Sequence, residues 1–94
     1  MPKAIWEGEV LAETEKHEVV EGNIYFPADS INSEYFSESD LQTHCPWKGD
    51  AYYFHITVND AVNENGAWYY PQTKEKANNI EGYIAFWNGV EVSE

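Results

Sequence analysis

The chain contains no arginine, and five lysines face seventeen aspartates and glutamates, giving a formal net charge of −12. A protein that binds duplex nucleic acid needs a basic footprint to displace counterions from phosphates. This chain presents the opposite field, which also opposes anionic membranes. Without arginine the side chain best suited to bidentate phosphate recognition is missing. A mononucleotide would have to be held by Lys48, backbone amides or a divalent cation drawn by the carboxylates. One cysteine excludes an intrachain disulfide, as expected in a reducing cytoplasm. No run approaches the roughly 18 apolar residues of a membrane helix, and Met1 to Glu7 lacks the apolar core of a signal peptide. These absences predict a cytoplasmic protein with neither nucleic acid nor membrane as partner.

What the chain does contain is aromatic surface. Four Trp, seven Tyr and four Phe supply large side chains, each able to remove about 150–250 Å² from water. A chain of 94 residues reads as one domain, residues 1–94, and needs such side chains to stabilise a small core. Gly, Asn and Pro punctuate short apolar runs, which predicts a mainly β fold. The expected form is a compact antiparallel sheet or barrel-like fold with one or two short helices. Glu9 to Glu13 and His17 to Val20 read as strands around a turn at Thr14 to Lys16. Ile24 to Phe26 reads as another, closed by Pro27. Asp29 to Phe36 reads as a helical turn with Asp29 or Ser30 as N-cap, and Leu41 to Cys45 leads into the motif described below. The longest strand, Asp50 to Val58, puts Tyr52, Phe54, Ile56 and Val58 on one face and Ala51, Tyr53, His55 and Thr57 on the other. Ala67 to Tyr70 is a further strand. Thr73 to Asn79 is expected to be a helix capped by Thr73. Gly82 to Trp87 reads as a strand, with Val90 to Val92 as its hairpin partner across Asn88-Gly89.

Tyr52-Tyr53-Phe54, Trp68-Tyr69-Tyr70 and Phe86-Trp87 place aromatics on both faces of their strands. Either the sheet is covered on both sides or one face lines a cavity. Tyrosines favour a wet pocket, since a buried phenol wants a hydrogen-bond partner.

The densest chemistry lies in Thr43-His44-Cys45-Pro46-Trp47-Lys48-Gly49. Cys45 precedes a proline and is pushed toward extended geometry, so His44 and Cys45 point to opposite sides. Three readings of Cys45 compete: a nucleophile activated by Lys48, a metal ligand, or a small buried hydrophobe. The metal reading is the weakest, because the chain offers only His17, His44 and His55 besides. Lys48 is either an anion hook for a carboxylate or phosphate, or a surface lysine paired with Asp50 or Glu21. His44 is a candidate donor or base. His55, inside a strand, reads as a packing histidine, and His17 as exposed near a turn. Trp47 serves either packing or ligand stacking. Glu21-Gly22-Asn23 with Tyr25 forms a second cluster, in which Glu21 is either a base or acceptor or part of a plain polar turn. Trp47, Tyr53, Trp68 and Tyr70 would form an apolar floor. No residue pattern names a cofactor.

Val19 to Pro27, Thr43 to Gly49, Ala67 to Pro71 and Gly82 to Phe86 together resemble one family closely, in family order and over nearly the whole chain. It is the bacterial and fungal domain of unknown function 427, which also carries a nucleotidyltransferase-like label. The resemblance implies a compact, mainly antiparallel β domain and brings no established catalytic residues. The first functional expectation is therefore a small-molecule-binding β domain centred on Thr43 to Gly49, as a monomer or homodimer. The alternatives are a metal-dependent nucleotidyltransferase-like enzyme and a non-catalytic interaction module.

Overall fold

β-Branched and aromatic residues alternating between Gly, Asn and Pro breaks suit a pleated, half-buried surface. In the computed structural model, which describes residues 1–94, they form nine strands. These are β1 (Lys3–Trp6), β2 (Glu9–Glu13), β3 (Glu18–Val20), β4 (Asn23–Tyr25), β5 (Phe36–Cys45), β6 (Gly49–Val58), β7 (Ala61–Tyr69), β8 (Ile84–Phe86) and β9 (Glu91–Ser93). All ladders are antiparallel. A three-stranded sheet runs β2-β1-β9, a hairpin joins β3 to β4, and a four-stranded sheet runs β5-β6-β7-β8. Phe26 and Ile84 exchange backbone hydrogen bonds of 2.8 and 2.7 Å, which fastens the small hairpin to the outer side of β8.

That fastening explains one departure from the sequence reading. Asn88 and Gly89 do turn the chain, with φ of 61° and 95°, but β9 does not return along β8. The outer side of β8 is already occupied at Ile84 by Phe26. The chain crosses instead to β1, where Ala4 pairs with Val92. β1 itself carried no strand signal, being short and next to the terminus. β2 pairs with it across the Glu7-Gly8 turn rather than with β3.

The four-stranded sheet is covered on both faces. Phe54, Ile56, Val58, Ala67, Tyr69, Ile84 and Phe86 meet Ala4, Leu11, Ala12 and Phe26 on one side. Ala51, Tyr53, Trp68, Tyr70 and Ala85 meet Tyr25, Ala77 and Ile80 on the other. The expected division of faces along β6 thus holds for its large side chains. A register shift between Phe54 and Ile56 brings the Asn65 N–H to His55 Nδ1 at 3.1 Å, so His55 is a satisfied packing histidine.

Helical structure is confined to short 3-10 segments. Ala28–Ser30 and Ser33–Tyr35 replace the predicted single turn. Neither Asp29 nor Ser30 caps it, because both lie inside the first segment and the Ser30 hydroxyl donates back to the Pro27 carbonyl at 2.7 Å. The expected helix at Thr73 to Asn79 begins later, at Glu75–Ile80, with Lys74 in the capping position and a kink at Ala77. A segment of six residues has little propagation to offset the cost of nucleation, and Asn78-Asn79 are poor helix formers. Thr73 is held elsewhere, bridging to Gly49.

Gly49 opens β6 at φ 121°, and a Cβ there would lie 2.9 Å from the Gln72 carbonyl oxygen. Gly49→Ala is therefore expected to cost about 1–3 kcal/mol through backbone strain, read as a lower denaturation midpoint. An unchanged midpoint would show that the Gly49–Thr73 junction yields freely.

Candidate functional site

Pro46, Trp47 and Lys48 form the short loop between the paired residues Cys45 and Gly49. The extended geometry imposed before Pro46 sends neighbouring side chains opposite ways, as expected. Cys45 packs, half-buried, against the second core together with Trp47. His44 turns outward and pairs across the ladder with Asp50, Nδ1 to Oδ1 at 2.8 Å, both side chains being well exposed.

Lys48 folds inward and is only 6% exposed. Its Nζ lies 5.3 Å from the centroid of the Trp47 ring and 5.6 Å from that of Tyr70, favourable ground for a cation. It also donates to the Glu21 carboxylate. Glu21 reaches it from the two-residue turn between β3 and β4, where Glu21 and Gly22 have φ of 54° and 81°. The same backbone turn recurs at Glu7-Gly8, with φ of 50° and 76°. What distinguishes Glu21 is thus its partner and not its turn. Of the two readings of Lys48, the Glu21 pairing is present, but the lysine is buried and not on the surface.

The electrostatics follow from this pairing. The Lys48 ammonium holds the Glu21 carboxyl below the usual carboxylate range, with the Trp47 indole N–H acting in the same sense. Burial opposes charge on Lys48, but the bond to Glu21 and the influence of the Tyr25 and Tyr70 phenols outweigh it and leave its pKa raised. Lys48 is accordingly an ammonium at neutral pH, suited to holding an anion and unsuited to acting as a base or nucleophile. Burial pushes the Tyr25 and Tyr70 phenols up as well.

Beside Lys48 opens a cleft of about 190 Å³, lined by Lys48, Tyr53, Trp68, Tyr70 and Trp87. Trp68 and Trp87 meet edge to face, with centroids 6.0 Å apart. Behind Trp68, its indole N–H donates to the fully buried Tyr25 at 3.3 Å. Tyr53 is steadied by Thr43, hydroxyl to hydroxyl at 3.0 Å. The structure therefore brings Glu21, Tyr25, Cys45, Trp47, Lys48, Tyr53, Trp68 and Tyr70 to one face of the sheet. Either-or became both here: the second face is partly core and partly cleft wall.

His44 does not join them. It lines a separate groove of about 580 Å³ with Asp50, Tyr52, Gln72, Thr73 and Lys74. That groove is larger but polar, whereas ligand sites are typically apolar with few convergent polar groups. Trp87 was missed as a site residue. It is 49% exposed, held by an N–H bond of 2.5 Å to the Asn65 carbonyl. The Phe86-Trp87 pair was its signal, since Phe86 takes the core side and leaves Trp87 facing the cleft. No three His, Cys, Asp or Glu side chains converge to ligate a metal, and no helix is long and apolar enough to cross a membrane.

Fold and site define a small antiparallel β domain with an aromatic cleft around one nearly buried ammonium. The chain belongs to the family described as domain of unknown function DUF427, whose model matches residues 2–94. No curated protein matches it.

Proposed function

We propose that this domain binds a small planar organic molecule in the cleft beside Lys48. The observation that carries this is the nearly buried ammonium lining a cleft whose other walls are all aromatic. The cleft's 190 Å³ compares with the roughly 150 Å³ apolar cavity that holds benzene, enough for one ring with a small polar substituent. A nucleoside triphosphate exceeds that room, and one lysine faces the cleft to meet its phosphates. The net charge of −12 supports a ligand of this kind over nucleic acid or an anionic membrane. His44 and Cys45 have no part in this reading: one lines another groove, the other packs half-buried against the second core.

Titration of isotope-labelled protein with single-ring compounds, read at the indole N–H resonances, tests the proposal. Saturable shifts of Trp68 and Trp87 are expected. Trp87→Ala is expected to weaken binding by about threefold to tenfold, the loss of one aromatic contact, without unfolding a protein in which that ring is half exposed. Shifts confined to other residues, or none at all, would refute the reading.

A further inference from the structure

A lysine ammonium carries three N–H donors, and Glu21 is the single acceptor that Lys48 meets through a hydrogen bond. The side chain is only 8% exposed, and Lys48 is one of the five residues that line the cleft. Tyr70, 5% exposed and also lining that cleft, makes no hydrogen bond through its phenol. Two kinds of donor therefore border one space with unused capacity. Glu21 differs from both. It does not line the cleft and its side chain is 55% exposed, so a second carboxylate on the same ammonium pushes it toward water by like-charge repulsion.

Resting on the binding function above, we infer that the ligand is an aromatic carboxylate, and that its carboxylate replaces Glu21 on the Lys48 ammonium. Glu21 is then a tethered stand-in for the ligand's own acidic group. The exchange is balanced in charge: one carboxylate leaves the ammonium for water and another takes its place. A phosphate would bring up to two charges against one cation, in a chain without arginine and with a net charge of −12. A planar carboxylate matches the single cation, and its ring lies between Trp68, Trp87 and Tyr53. The Tyr70 phenol supplies a second donor to the carboxylate, as charge-assisted bonds favour.

Benzoate and its neutral isostere benzamide test the inference, each titrated against the native protein, Glu21→Gln and Lys48→Met with the Trp68 and Trp87 resonances as readout. Benzoate is expected to bind at least about tenfold more tightly than benzamide, through its charge-assisted bonds. Glu21→Gln, which removes the competing charge at an exposed position, is expected to tighten benzoate by about fivefold and leave benzamide unchanged. Lys48→Met is expected to bring benzoate down to the level of benzamide. Equal binding of both compounds at these resonances overturns the carboxylate preference while leaving the cleft as a binding site. Unchanged or weaker benzoate binding by Glu21→Gln overturns the displacement, because Glu21 would then not be competing with the ligand for Lys48. Failure of both compounds to move either resonance overturns the binding function itself. Should Lys48→Met not fold, the benzamide and Glu21→Gln comparisons still decide.

Discussion

Phe26→Ala is expected to remove about 3–5 kcal/mol of stability, a large share of the roughly 5–15 kcal/mol that holds a domain folded. Phe26 is fully buried and meets Phe86 edge to face, with centroids 5.5 Å apart. Phe86 in turn meets Phe36 at 5.9 Å, so the ring anchors a chain of aromatic contacts spanning the first core. Its backbone also joins the β3–β4 hairpin to β8 through the bonds to Ile84. Truncation leaves a cavity where the N-terminal sheet, the hairpin and the main sheet converge. Since that hairpin carries Glu21, the ion pair at the cleft is expected to weaken with it. Chemical denaturation of Phe26→Ala beside Phe26→Leu checks this. Leucine, which fills much of the same volume, is expected to lose clearly less. Equal and small losses for both would mean that the hairpin is held by other contacts.

Raising the pH is expected to unfold the protein steeply. Burial lifts the Tyr25, Tyr69 and Tyr70 phenols above their ordinary 10.0, and Lys48 stands above its ordinary 10.5. Each of these groups holds its proton more tightly in the folded state. Their contribution to stability is therefore complete below the ordinary values and is lost as pH rises through the folded ones. Glu21 has the opposite sign. Its carboxyl is held below 4.5, so its contribution is complete above that value and disappears as pH falls through the folded one. The stability plateau thus lies between these limits, with the sharper edge on the alkaline side, where these four groups are joined by Tyr35, raised by its hydrogen bond to Glu9. Tyrosinate absorbance followed beside circular dichroism tests it: the shifted tyrosines are expected to ionise together with loss of the sheet. Gradual ionisation of every tyrosine with the sheet intact would exclude a buried cluster.

Particular residues show how far local pattern reaches. Alternation along Asp50 to Val58 assigned Phe54, Ile56 and Val58 to one face and Ala51 and Tyr53 to the other, and the two cores confirm that division. Pro46 separated His44 from Cys45, because restricting the preceding residue is a local steric effect. Glu21 was one of two partners the sequence offered Lys48, the other being Asp50, but at 27 positions apart no local pattern could choose between them or show that the lysine is buried. Trp87 followed the same logic, since Phe86-Trp87 was seen to put aromatics on both faces while the cleft that Trp87 faces was not visible. The predicted helix at Thr73 to Asn79 failed on length and on the bridge that draws Thr73 to Gly49, a long-range contact that overrides helix propensity.

The sequence by itself determined the β class, the faces of Asp50 to Val58, the turn at Asn88-Gly89, and the family. All of these rest on interactions between residues near in the chain: pleat alternation, proline sterics and positive φ at Gly and Asn. The tertiary structure decided that β9 crosses to β1, that Lys48 is buried against Glu21, and that His44 lies in a different groove. Those outcomes depend on which strand edge is already occupied and which side chains share a desolvated space. Such facts arise only when distant segments pack, and no local pattern carries them.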